Sequence, residues 1–393
     1  MKVISSSFST FHMVEQAQQL ERLGILEKFI TGIPKFASSK HKLPKSRVIS
    51  LWKSFALSYI NNKFRILSNQ DFYDKLVKAS HNNFSKNLPN KLNKNIDFFI
   101  GLSSFCYEGL LRANDLGICS IVDHGSLHQK FEQNELFIES QKFGFSIGGI
   151  NKYQWLIDKQ EKEYKIAKKV LVLSSLAKKT FIGQGIDENK ILVNNLGVSI
   201  KTFRDIKKED KKFRVLYCGN VAPAKGIHYL LKSFSLLNLP NAELWVIGDT
   251  NYLKEDSLFE KHIKKYITNK VIFKGKISSN QIYKFFSQCS ILVLPSLSDG
   301  FGKVVSEAMS CKLPVIVSQN TGAKDLVIDD YNGYIIPVRN ESSISEKLEY
   351  LYYEKEKLIY MANNAQEYVR NNATWKNYGE RLFDLLNQNL VKK

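Results

Sequence analysis

The stretch Pro295–Gly322, PSLSDGFGKVVSEAMSCKLPVIVSQNTG, holds the turn and the helix on which the reading of this chain turns. Its flanking runs ILVLP (291–295) and LPVIVS (313–318) are short and continuously apolar, as strands buried on both faces of a parallel sheet are. Between them Gly300 and Gly302 permit a tight turn, and Val304, Val305, Ala308 and Met309 recur as one apolar helical face. Backbone amides around Gly302 to Val304 fall in the first helical turn, where they lack helical partners and the helix dipole is positive. That end suits a phosphate or a sugar oxygen. Asp299 and Glu307 flank it with carboxylates suited to sugar hydroxyls. The same residues also fit a plainer unit, in which Asp299 caps the helix and Glu307 is solvated.

The alternation continues on either side. KVISSS, IDFFIGLS, CSIVDHG and KKVLVLSS read as strands in the first half, with VEQAQQLERLG and DKQEKEYKIAKK as helices. The pattern restarts with the strands FRVLYCG, AELWVIGD, KVIFKG, SILVLPS, LPVIVS and GYIIPV. Helical segments between and after them are GIHYLLKSFSLL, NQIYKFFSQC, VVSEAMSC and the long run ESSISEKLEYLYYEKEKLIYMANNAQEYVRNN. Strands alternating with helices predict an α/β chain of two doubly wound, Rossmann-like domains facing across a cleft. The expected divisions are residues 1–204, a charged linker at 205–212, residues 213–375, and a last helix, 376–393, returning to the first domain. Leu43 to Asn95, rich in Lys, Asn and aromatic residues, yields no assignment. Ligands of open α/β sheets bind outside the carboxyl ends of the strands, so the cleft is the expected site.

Bulk properties narrow the class. Hydrophobic residues make up 44% of 393, enough for real cores, and the formal net charge is +19. Such charge attracts anions in general. Lys is spread through helices and linkers without a nucleic-acid-binding motif, so nucleic acid is not an expected partner. An anionic membrane surface accounts for the charge; a Lys- and Asn-rich composition accounts for it equally well. Cys106, Cys119, Cys218, Cys289 and Cys311 form no CxxC pair and read as reduced core thiols. No run reaches the ~18 apolar residues of a membrane span, and the first residues lack the apolar core of a signal peptide. The expected location is therefore the cytoplasm, peripherally at the inner face of the membrane.

A second motif opens the second half: FRVLYCGNVAPAKGIHYLLKSF, 213–234. A strand ends at Cys218, Gly219 opens a loop, and Gly226 begins an amphipathic helix with Lys225 at its mouth. An ammonium beside the positive end of a helix suits a diphosphate. The two glycines also fit a simple strand-to-helix turn with a solvated lysine.

Together these pieces resemble the retaining family-four (group 1) glycosyltransferases of GT-B fold. The donor motif of that family, EGFGxxxxEAM, stands here as DGFGKVVSEAM, 299–309. Similar pieces are TGAKDLV, VLVLSSLAKKTFIGQGI with ILVNNLGVSIKTF, and GNVAPAKGIHYLL with ELWVIGD. The resemblance runs from about Ile121 onward. It implies transfer of a sugar from a nucleotide diphosphate sugar to a glycan or lipid-linked acceptor, with retention of anomeric configuration, in cell-surface polysaccharide synthesis. The N-terminal domain would bind the acceptor and the C-terminal domain the donor. No metal or cofactor is expected.

By the same resemblance Gly219, Asn220, Lys225, Gly300, Phe301, Gly302, Lys303, Val304 and Glu307 would bind the donor. Lys225 would neutralise the diphosphate, Glu307 hold the ribose and Asp299 the sugar. His124, just after a strand that ends at Val122, would be the cleft histidine that accompanies Lys225 and Asp299 in catalysis, with His128 as second choice. His12 would face the acceptor, and Ser9 or Thr10 would cap the first helix. The donor's base or sugar would be sorted near Lys276 and Ile277. Two positions depart from the family: Asp299 replaces its first Glu, and Asn220 replaces the Arg that accompanies the lysine. These departures motivate an alternative, a catalytically weak or inactive sugar-nucleotide-binding protein of the same fold.

Overall fold

The protein is described by a computed structural model over residues 1–34, 42–54, 56, 70–145, 154–251, 253 and 257–390. The first half holds β1 (Val3–Ser7), α1 (Met13–Arg22), β2 (Leu26–Thr31), β3 (Val48–Ser50), α2 (Gln70–Lys86), β4 (Phe98–Leu102) and α3 (Tyr107–Asp115). It continues with β5 (Cys119–His124), α4 (Gln129–Phe143), α5 (Gln154–Ile166), β6 (Lys169–Val172), α6 (Ser175–Ile182) and β7 (Ile191–Val193). The second half runs β8 (Phe213–Cys218), α7 (Ile227–Leu236), β9 (Ala242–Ile247), α8 (Leu258–Lys264), β10 (Val271–Gly275), α9 (Ile282–Phe286) and β11 (Ile291–Leu294). After it come α10 (Lys303–Ser310), β12 (Val315–Ser318), β13 (Gly333–Ile336), α11 (Glu341–Tyr353), α12 (Lys355–Asn372) and α13 (Trp375–Gln388).

Two parallel sheets result, ordered β3-β2-β1-β4-β5-β6-β7 and β10-β9-β8-β11-β12-β13. The expected pair of doubly wound units is therefore present. Each sheet reverses its strand order once, between β1 and β4 and between β8 and β11. Crevices open at such points because successive connections leave toward opposite faces. The central strands owe their place to apolarity: Ile291 to Leu294 are at most 1% exposed, each burial contributing about 2 kcal/mol.

Some expectations are corrected. The long C-terminal run is not one helix; Glu354, with ψ 71°, breaks it into α11 and α12. Neither Ser9 nor Thr10 caps α1, whose N-cap is His12 without a side-chain cap bond. Nor does Asp299 cap α10; that place belongs to Gly302 at φ 79°. All five cysteines are free, four of them buried. Among the described residues no helix is long and apolar enough to cross a membrane.

The two halves are interleaved. α13 packs beside α1, where Gln16 Nε2 donates to Tyr378 Oη at 2.9 Å and Asn194 Nδ2 donates to the Tyr378 carbonyl at 3.2 Å. In the opposite sense α4 lies against the second half. Its Glu139, 1% exposed, accepts from Arg339 Nε at 2.8 Å, His228 Nε2 at 2.6 Å and Tyr229 Oη at 2.9 Å. Burial alone would raise the Glu139 carboxyl, but these bonds outweigh it and hold the group below the usual range. His228, pushed down by burial, is the neutral donor of its bond.

Candidate active site

A cavity of about 480 Å³ lies between the two sheets. Thr10, Phe11, His12 and Glu15 reach it from the end of β1, and Gly125, Leu173 and Leu196 from the ends of β5, β6 and β7. Facing them are Cys218, Gly219, Asn220 and Lys225 after β8, and Leu294 with Asp299, Phe301, Gly302, Lys303 and Val304 after β11. The second set straddles the strand-order reversal of its sheet. Sequence reasoning placed most of that set here; Gly300 and Glu307 lie beside the cavity rather than among its lining residues.

Tight backbone approach positions the two loops. Gly226 has φ 64°, and a Cβ there would sit 2.0 Å from the Pro295 carbonyl oxygen. Leu297 N donates to Ala224 O at 2.9 Å, so the β8 and β11 loops are stitched together below the cavity. Lys225 Nζ and Asp299 Oδ2 then meet at 2.6 Å, with 28% and 15% of their side chains exposed. The other Asp299 oxygen accepts from Phe301 N at 3.3 Å. Glu307 is half-buried, and its carboxylate makes no hydrogen bond or ion pair among the described residues. Burial raises its carboxyl, and Lys303 one turn earlier partly offsets this. Gly302, the N-cap, and Lys303 and Val304 of the first turn of α10 line the cavity, where the first amides of a helix lack intrahelical partners.

The first half corrects the choice of histidine. His124 is 3% exposed and does not line the cavity. Its Nδ1 is 2.9 Å from Tyr164 Oη and its Nε2 is 3.1 Å from the Leu127 carbonyl. Burial lowers it to about 4, so it is a neutral core imidazole. The physical reason is the strand itself: β5 includes residue 124 and turns its side chain inward, toward Tyr164 and Phe181. His128, the second choice, is also buried, with Nε2 3.3 Å from Glu161. The cavity histidine is His12. Its Nε2 lies 2.8 Å from Asp123 Oδ1, while Asp123 Oδ2 accepts from Gln16 Nε2 at 2.8 Å. A carboxylate only accepts, so this contact fixes the ring proton on Nε2 and leaves Nδ1 free on the Gly125 side.

Other contributors were not read from the sequence. Glu132 accepts from Ser126 Oγ and, at 2.8 Å, from Gln129 Nε2. Burial raises its carboxyl, and nearby Lys225 opposes this. Ser174 Oγ donates to the Gly300 carbonyl at 2.8 Å across the seam. No pattern marks these residues: the partner of Ser174 is remote in sequence, and the bonds of Glu132 to Ser126 and Gln129, though local, form no recognised motif. Lys276 and Ile277 lie outside the cavity lining, and Lys276 Nζ sits 3.6 Å from Asp249. Among the described residues no group of three or more His, Cys, Asp or Glu is arranged to hold a metal ion.

Residues 199–368 match the family model described as "Glycosyl transferases group 1", which agrees with the resemblance read from 299–309. The capsular polysaccharide biosynthesis glycosyltransferase CapM of Staphylococcus aureus is 28% identical over 233 residues, 56% of this chain and 60% of that one. The N,N'-diacetylbacillosaminyl-diphospho-undecaprenol alpha-1,3-N-acetylgalactosaminyltransferase of Campylobacter jejuni is 26% identical over 197 residues, 47% of this chain and 50% of that one. The first curated relatives are matched over 42%, 44% and 60% of their own lengths. Among solved structures, Anabaena Alr3699/HepE in complex with UDP and glucose superposes with a TM-score of 0.66 at 16% identity, over 99% of this chain and 100% of that one. The fold is thus the GT-B arrangement of two facing Rossmann-like units.

Proposed function

We propose that the chain is a glycosyltransferase that moves a sugar from a nucleoside diphosphate sugar to a glycan or lipid-linked acceptor, in cell-surface polysaccharide synthesis. The observation that carries this reading is the convergence of Lys225, Asp299 and the amide-bearing start of α10 on one face of the cleft, with Glu307 beside them unpaired. Lys225 and the Gly302–Val304 amides hold the diphosphate, Glu307 the ribose hydroxyls and Asp299 the sugar. The names of CapM and of the Campylobacter enzyme support an envelope glycan or polyprenol-linked acceptor. The complex of HepE with UDP supports a nucleoside diphosphate donor.

The reaction proceeds with retention at the anomeric carbon. The bond from that carbon to the diphosphate oxygen breaks as Lys225 and the helix dipole stabilise the leaving charge. The acceptor oxygen bonds to the same face, and its proton passes to the departing phosphate oxygen. His12, held by Asp123, offers Nδ1 to a hydroxyl at the acceptor side. With its charge of +19 the protein works at an anionic inner membrane face.

A melting-temperature screen against UDP-, GDP-, dTDP- and ADP-sugars identifies the donor, because a ligand bound only by the folded state raises the transition. Transfer and hydrolysis of that donor are then compared between wild type and Glu307→Ala. The expected result is turnover in wild type and a loss of ~10-fold or more in the variant, the scale of lost bonds to a charged group. Equal, negligible turnover in both would leave a binding protein in place of an enzyme.

A further inference from the structure

The two lysines that line the cavity are in different states. Lys225 is engaged by Asp299 at 2.6 Å. Lys303, the first residue of α10, is exposed, and its ammonium lies 6.0 Å from the centre of the Trp375 ring. That ammonium makes no ion pair or hydrogen bond among the described residues, although the residue's carbonyl accepts from Ser306 Oγ at 2.9 Å. The carboxylate that engages Lys225 is itself steadied, since its second oxygen accepts from Phe301 N at 3.3 Å. Glu132, also close to Lys225, is occupied by Ser126 and Gln129. The cleft therefore presents one lysine without an ion-pair partner among the described residues and one already paired with a carboxylate.

We infer that the Lys225–Asp299 pair is an internal competitor for the donor's diphosphate. A nucleoside diphosphate meets Lys303 first and then takes the Lys225 ammonium from Asp299; the released carboxylate turns to the sugar hydroxyls. This rests on the donor site proposed above and adds an order of events to it. The exchange is favourable because a part-exposed lysine–carboxylate pair is weak in water, where screening and hydration cancel most of its attraction. A diphosphate offers several anionic oxygens and gains the amides at the start of α10 as well. Exchange also adds selectivity. Asp299 becomes available for the sugar only after Lys225 has found a phosphate, so a free sugar meets a carboxylate that is already occupied.

Calorimetric titration of the full chain with UDP and with GDP tests this, alongside the matching nucleotide sugar. Asp299→Asn removes the competitor and keeps the shape. It is expected to bind the diphosphate that wild type binds roughly threefold to fivefold tighter, the scale of a surface ion pair. It should also lose the preference of wild type for the nucleotide sugar over the bare diphosphate. In a Lys225→Met background the same substitution should bring no gain, since the competition acts through that ammonium. Lys303→Met should weaken diphosphate binding and flatten its salt dependence. Melting curves establish that each variant is folded. An Asp299→Asn protein that is folded and binds the diphosphate no tighter overturns the inference, as does a gain that persists without Lys225. If wild type binds no nucleoside diphosphate at all, the donor site itself is wrong, a separate and recognisable outcome.

Discussion

Glu307 shows how a single side chain is set between stability and use. Burial raises its carboxyl above the usual range, so the folded protein favours the protonated form. That contribution is present at acid pH and is lost as pH rises through the raised value. At neutral pH the ionised group is a burden, and Glu307→Gln should melt higher than wild type while losing donor-induced stabilisation. Paired melting curves with and without the donor check both halves of this expectation. The sequence made this residue legible because its spacing from Asp299 is local, Glu307 lying on the helix into which the Asp299 loop leads. His12 was less legible. It is selected by Asp123, more than a hundred positions away, and nothing near residue 12 announces the pair. His124 looked better placed because a strand end suggests the cleft, but it is still within the pleat and points to the core.

At the level of elements, α5 anchors the turn after β4 through a buried acid. Glu163 accepts from Ser104 N at 2.5 Å and Cys106 N at 3.0 Å. Desolvation lifts its carboxyl to about 7 in spite of these bonds. The folded state therefore holds a proton that the unfolded chain releases near the ordinary glutamate value of about 4.3. The associated stability is present below that value and declines as pH rises through about 7. Denaturant unfolding at pH 6 and pH 8 should show this decline in wild type and a smaller one in Glu163→Gln. The docking of α4 gives a second expectation. Arg339→Met would leave the buried Glu139 without its main cation, at a cost of about 3–5 kcal/mol. The double variant Glu139→Gln, Arg339→Met should recover part of it in the same assay. The longer strands could be read from sequence because a continuous apolar run is a local signal. β3 and β7 could not, since three residues carry no period. β2 was hidden as well, because Glu27 and Lys28 break its apolar run.

Across the whole molecule the two halves meet where side chains are absent. A Cβ on Gly300 would stand 2.4 Å from Ser126 Cα, and one on Gly197 would stand 2.5 Å from Trp375 Cα. Gly300→Ala should therefore hold the halves apart. A displacement near 1 Å at a reacting centre costs on the order of 100-fold in rate, so turnover should fall by about that factor. Small-angle scattering should show a larger radius than wild type. The architecture was legible from the alternation of elements, but the seams were not, since a glycine reads as a turn until its neighbour across the cleft is known. The crossing of α13 one way and α4 the other has a mechanical consequence. Severing the exposed 205–212 connection would not yield two independent bodies, because each fragment would carry off a helix on which the other rests. Co-expressed halves should find one another and reconstitute donor binding, whereas either half alone should aggregate or be degraded.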